Sequence, residues 1–153
     1  LASGSLRGYN PRVTTYAEVG PDDRDVALFL VYHLNRINIW RLPLKAWVAR
    51  RNGEILAVLT FDNITYPAIH IILQPRTRPI VAILKLWYLA RDWFTAIGMP
   101  MVCAPVFTYL HHFQSLLRRV GFVKVGEERD KNNRVCEIIY GYYFKEPVHA
   151  EGD

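Results

Sequence analysis

No glycine occurs between Glu54 and Ile97. That gap excludes a glycine-rich phosphate loop from the middle of the chain, because such loops need backbone free of Cβ to close on phosphate oxygens. Cysteine is scarce too: Cys103 and Cys136 are the full complement of the 153 residues. Two thiols in separate apolar runs make neither a disulfide framework nor a zinc site, and read as buried free thiols of a reducing, cytoplasmic setting. No apolar run reaches the ~18–20 residues of a membrane span, so no membrane partner is expected. A nucleophile elbow is absent as well. Acidic residues are in the minority, 14 against 19 Lys and Arg, which leaves a net charge of +5 and favours anionic partners. The basic residues are scattered rather than gathered on one face, which ranks nucleic acid last among those partners.

What is present is an ordinary globular composition, 51% hydrophobic and 22% charged. Leu1–Ser5 has no initiator Met and reads as an added or trimmed end, and 1–11 is expected to be a disordered lead-in. A single domain is expected over 12–145, with a flexible tail over 146–153.

Arg12–Val19 is rich in β-branched and aromatic residues and reads as a strand closed by Gly20-Pro21. A helix follows, capped by Asp22 or Asp23, with Val26, Ala27, Leu30, Val31, Leu34 and Ile37 at helical spacing to about Asn38. Asn38–Leu44 is irregular and offers Trp40 as packing or as the wall of a pocket. Ala46–Arg50 and Ile55–Phe61 flank Asn52-Gly53, a pair suited to a two-residue hairpin. After a turn at Asp62–Pro67, Ala68–Leu73 is a third successive antiparallel strand. Pro79 then opens a helix whose stripe is Ile80, Ile83, Leu84, Trp87, Tyr88, Phe94 and Ile97.

Met101–Val106 is a continuous apolar run, as in a strand covered on both faces. A helix over Tyr109–Val120 follows, with Leu110, Phe113, Leu116, Leu117 and Val120 inward and Gly121 as its left-handed end. Phe122–Arg129 and Arg134–Phe144 form a closing hairpin around Lys131-Asn132-Asn133.

This order, with "FQSLLRRVGFVKVGEE" at Phe113–Glu128 and "AIHIILQPRTRP" before the long helix, resembles the GNAT superfamily of acyl-CoA-dependent N-acyltransferases. The resemblance covers Arg12–Phe144 and implies an α/β (α+β) fold. Its sheet would be mixed and mostly antiparallel, with six to seven strands flanked by three to four helices. It also implies acetyl-CoA as cofactor and acyl transfer to the amine of a small molecule or protein. Ile71, Ile72 and Leu73 would then offer a strand edge to the cofactor, and Arg76, Thr77, Arg78 and Ile80 would approach its phosphates.

Two departures stand in the same residues. Pro79 and Val81, or Thr77 and Pro79 in the other register, fill the positions where the family has small residues, and Pro79 has no N–H. Leu117 stands where many members have a proton-donating tyrosine, and Leu110 where an asparagine is usual.

His70, Tyr109, His111 and His112 are the candidates for proton transfer. For His70 the plainer reading is a sheet histidine bonded to a neighbour, and for His111-His112 a polar helix start. Arg76 and Arg78 are anion-binding candidates or solvated loop charges. Arg118-Arg119 complements a helix dipole, and Glu127–Asp130 reads as a solvated turn. Cys103 would be a nucleophile only beside a base that lowers its pKa. The second functional class is a catalytically inactive GNAT-fold interaction or structural protein, of a kind found among phage proteins. Its aromatic residues would form a homodimer or assembly interface.

Overall fold

A computed structural model describes residues 13–20, 22–37 and 43–145, with the side chains of 33–37 excepted. Trp40, Pro21 and the two chain ends lie outside these residues. Seven strands and three helices follow one another: β1 Thr14–Glu18, α1 Arg24–Ile37, β2 Lys45–Arg51, β3 Glu54–Asn63, β4 Pro67–Leu73, α2 Ile80–Ala96, β5 Met101–Phe107, α3 His111–Arg119, β6 Val123–Arg129 and β7 Val135–Tyr143. They form one mixed, mostly antiparallel sheet in the order β1-β2-β3-β4-β5-β7-β6, in which β4 and β5 run parallel. No helix among the described residues is long and apolar enough to cross a membrane.

The chain divides into two compact units, Leu1–Thr60 with Ile71–Ala90, and Phe61–His70 with Arg91–Asp153. In the first, Asn52 and Gly53 both take positive φ, 56° and 73°, as a two-residue hairpin requires. Thr14 lies opposite Arg51, Tyr16 opposite Ala49 and Glu18 opposite Trp47. Side chains alternate across a strand, so β2 sends Ala46, Val48 and Arg50 to one face and Trp47, Ala49 and Arg51 to the other. Val26 and Leu30 of α1 pack on the first face with Ala46, Val48, Val58 and Ile72.

The inward stripe of α1 is narrower than its spacing suggests, since Ala27 is exposed and Val31 is 55% exposed. One row of contacts on a sheet needs only Val26 and Leu30, four residues apart. Asp23 does hold the start of α1: its carbonyl accepts from Ala27 N–H and its carboxylate from Gly20 N–H.

In α2 the inward face is Ala82, Ile83, Leu86, Trp87, Ala90 and Phe94. Ile80, Tyr88 and Ile97 are outside it, and the small Ala82 and Ala90 take inward places. The helix begins at Ile80, and Pro79 precedes it as the residue whose carbonyl takes the Ile83 N–H.

The second unit centres on Phe94, which has no exposed surface and meets Phe61 at 4.9 Å, Trp93 at 5.3 Å and Phe144 at 5.7 Å between ring centroids. Here α3 starts two residues later than its spacing suggests, and Leu110 is 40% exposed at its cap. Gln114 takes an inward place: it is buried, and its amide donates to the Phe107 and Thr108 carbonyls. Gly121 has φ 110°, as a helix end built on glycine requires. Glu127–Arg129 belong to β6 rather than to a turn, and the turn itself is held by Asp130, whose carboxylate accepts from Asn132 and Arg134 N–H. Cys103 is buried and Cys136 only partly so, and both are free thiols.

Candidate functional site

Pro105 sits inside β5, a strand with neighbours on both sides. Thr108 N–H donates to Cys136 O, and Phe144 N–H to Pro100 O, so even-numbered residues of this register exchange hydrogen bonds with β7. Odd-numbered residues, Pro105 among them, therefore direct their backbone groups toward β4. Proline has no N–H to give there. The parallel ladder is registered at Ala68 and Cys103, and one step further, at the level of His70, β5 offers β4 no donor.

His70 is partly buried, with its Nδ1 3.6 Å from Asp62 Oδ2. Burial pushes the imidazole below the ordinary histidine range, and the Asp62 carboxylate opposes that shift. An imidazole of this kind stays neutral near pH 7 and has a lone pair for a proton. Tyr66 has its phenol pushed up to about 12 by burial, then by the negative charges of Glu137 and Glu128. Glu137 is itself raised, by burial and by Glu128, which faces it across the β6–β7 pair. Burial raises the Cys103 thiol, so nothing here activates it as a nucleophile.

The other proton-transfer candidates lie in the open. Tyr109 is 69% exposed and stacks on Phe107 at 5.5 Å with the rings 7° from parallel. His111 and His112 are exposed on the first turn of α3. Leu117 is buried and has no proton to give. A phenol that sequence reasoning passed over, Tyr140, is 2% exposed, donates to Gln114 Oε1 at 3.0 Å and accepts from Arg118 at 3.1 Å. Arg118 therefore anchors a buried network, beyond any service to the helix dipole.

In the first unit the loop before α2 contains the expected cofactor residues. Arg76 adopts φ 65°, left-handed without being glycine, and is exposed. That turn brings Thr77 back on Gln74, whose carbonyl accepts both the Thr77 N–H and its hydroxyl at 3.3 and 2.7 Å. Ile80 N–H donates to Arg78 O. Two amides expected to face phosphates are thus used within the loop, and Pro79 has none. The donors left at the start of α2, among the described residues, are the N–H groups of Val81 and Ala82. Ile72 is a core residue, and Ile71 and Leu73 are half-buried on β4.

A cleft of about 750 Å³ opens beside this loop. Thr77, Arg78 and Ile80 line it, Arg76 does not, and Val81 and Ala82 complete its helix side. Its other wall is β1 with Arg51 and Leu56. Among the described residues no cluster of His, Cys, Asp and Glu has the makings of a metal site.

No family model and no curated protein matches the chain. Its fold is that of the GNAT acetyltransferases. The ribosomal-protein-S18-alanine N-acetyltransferase from Escherichia coli superposes with a TM-score of 0.66 at 14% identity, over 91% of this chain and 99% of the other. A GNAT-family acetyltransferase from Streptococcus pneumoniae gives 0.66 at 17%, over 86% and 99%. The yncA protein from Salmonella typhimurium, solved with its cofactor acetyl-CoA, gives 0.70 at 14%, over 94% and 99%.

Proposed function

We propose that the chain is an acetyl-CoA-dependent N-acetyltransferase of the cytoplasm, acting on an amine of a small molecule or protein. The observation that carries this reading is the fold, shared along nearly all of the chain with acetyltransferases, one of them solved with acetyl-CoA. The donor set at the start of α2 suits such a cofactor: Arg78 and the amides of Val81 and Ala82 are of the chemistry that holds phosphate. Ile71 and Leu73 would offer backbone to its arm, with Arg76 and Thr77 as the loop that shapes its approach. The cofactor supplies an acetyl group activated as a thioester.

His70 does the proton work in this reading. It stays neutral near pH 7 and takes a proton from the acceptor ammonium at Nε2, while the Asp62 carboxylate 3.6 Å from Nδ1 favours the charged ring that results. Tyr109, His111 and His112 are exposed and stay secondary candidates, since a thiolate of moderate basicity needs no dedicated acid. Isothermal titration with acetyl-CoA tests the reading, with micromolar binding expected. A folded sample that gives no heat at high micromolar ligand overturns it. Where it binds, His70→Gln should lower kcat and shift the acid limb of the pH–rate profile, leaving affinity for acetyl-CoA in place.

The alternative, an inactive scaffold with this fold, draws on Leu117 and on the internally bonded amides of Thr77 and Ile80. A folded sample that binds no acetyl-CoA and releases no thiol across a panel of amines would favour it.

A further inference from the structure

β1 and β6 are the two edge strands of the sheet, and only β6 carries the devices that keep an edge from pairing. Its register against β7 shifts twice, between Lys124 and Gly126 and between Glu128 and Arg129, and Lys124, Glu127, Glu128 and Arg129 charge it along its length. β1 has no such protection. Its register against β2 runs unbroken from Thr14 to Glu18, and it holds no proline, no lysine and a single charge, Glu18.

Val19 N–H donates to Ala46 O, which fixes the phase of the β1–β2 ladder. Odd-numbered residues of β1 exchange hydrogen bonds with β2, so Thr14, Tyr16 and Glu18 turn their N–H and C=O groups outward. Among the described residues no strand meets them. An antiparallel second copy would join every one of these groups in a register centred on Tyr16, which sets Tyr16 against its own copy and Thr14 against Glu18 of the partner subunit.

The charges agree with that register. Arg51 lies opposite Thr14, and its Nε and a terminal nitrogen donate to Thr14 Oγ1 at 3.1 and 3.0 Å, so the guanidinium reaches over β1 toward the edge. It has no carboxylate among the described residues. Glu18 accepts from Lys45 at one oxygen and stays exposed, and the pairing brings it beside Thr14 and Arg51 of the other copy, on the same face. The two-fold repeats this meeting. On the opposite face Thr15 meets Ala17 of the partner subunit, both exposed and uncharged, so nothing repels. Arg50 also points to that face, where it donates to Asp25 at 2.8 and 3.0 Å and lies 3.6 Å from Asp23, so its charge is neutralised against α1.

We propose that the chain pairs with a second copy of itself through β1, antiparallel about Tyr16, with Arg51 of each copy meeting Glu18 of the partner subunit. A strand of about 17 Å is a short contact, so the dimer is weak and depends on concentration. The inference needs neither cofactor nor acetyl transfer.

Sedimentation equilibrium from about 10 μM to 1 mM should show the mass climbing toward twice that of the monomer. Tyr16→Pro removes an outward N–H and spares those that face β2, and should abolish the dimer. Arg51→Glu and Glu18→Arg, each alone, set like charges together and should weaken it about tenfold or more. An equimolar mixture of the two matches opposite charges at both contacts and should associate again, a rescue that a merely structural role would not give. Arg50→Gln should stay within about twofold of the wild type. Circular dichroism confirms that each variant is folded. A wild type that stays monomeric to about 1 mM overturns the proposal and leaves the edge to a strand of another protein. A dimer that Tyr16→Pro and both charge variants leave intact, or a mixture that fails to associate, overturns it as well. Dimers that form in a protein without affinity for acetyl-CoA remove the transferase reading and keep this one.

Discussion

At the scale of single residues, His70 and Glu137 give the sharpest expectations. The folded protein keeps His70 below the 6.5 of a free imidazole, so protonation favours the unfolded chain. The stability this residue allows is complete above that value and falls as pH drops from 6.5 toward the folded pKa. Urea midpoints measured from about pH 7.5 to 5 should therefore fall in the wild type and flatten in His70→Gln. Glu137 has the opposite sign. Its folded pKa is raised, so its ionised form costs stability once pH passes above the unfolded value of 4.5. Glu137→Gln should raise stability at neutral pH by about 0.5 kcal/mol, since like charges face each other across the strand pair. Thermal unfolding at pH 7 measures it, and a lowered midpoint refutes it. Neither effect could be read in the sequence. The Asp62–His70 approach joins two strands, and the Glu128–Glu137 opposition follows from a register interrupted between Lys124 and Gly126 and between Glu128 and Arg129.

At the scale of elements, strand and helix order was readable almost entirely, because Asn52-Gly53, Gly121 and the apolar runs state their own geometry. Faces were less so. Spacing marks a stripe of large residues that includes Ile80 and Tyr88, whereas the fold buries Ala82, Leu86 and Ala90 and leaves Ile80 and Tyr88 outside. Apolarity says nothing about how close a neighbour comes. Pro105 is the signal the sequence displays and periodicity ignores: the run Met101–Val106 reads as a buried strand, yet it carries a residue that cannot complete a ladder. In Pro105→Val the new N–H would face β4 at the level of His70. The gain of about 1 kcal/mol from that bond is offset by a looser unfolded chain. Hydrogen exchange is the better readout, and the residue-105 amide should be slow. Fast exchange there would show that the strand geometry, rather than the missing donor, ends the ladder.

At the scale of the whole molecule, the excess charge of +5 should help gather anions before any contact forms. Raising salt from about 0.05 to 0.5 M should weaken acetyl-CoA binding, mainly through slower association in stopped-flow measurements. An affinity that ignores salt would confine the effect to contacts within the cleft. The cleft was half visible in the sequence: Thr77, Arg78 and Ile80 were read, while Arg51 and Lys85 came from elements that only folding brings together. Adjacent identical arginines add a further result. One extra residue in β2 ahead of them would move Arg50 into the place of Arg51 on the open side, carry Arg51 past the strand end and leave Ala49 opposite the α1 carboxylates. Local tolerance of such an insertion would measure how far this protein depends on having an arginine at that wall, and how little on which of the two it is.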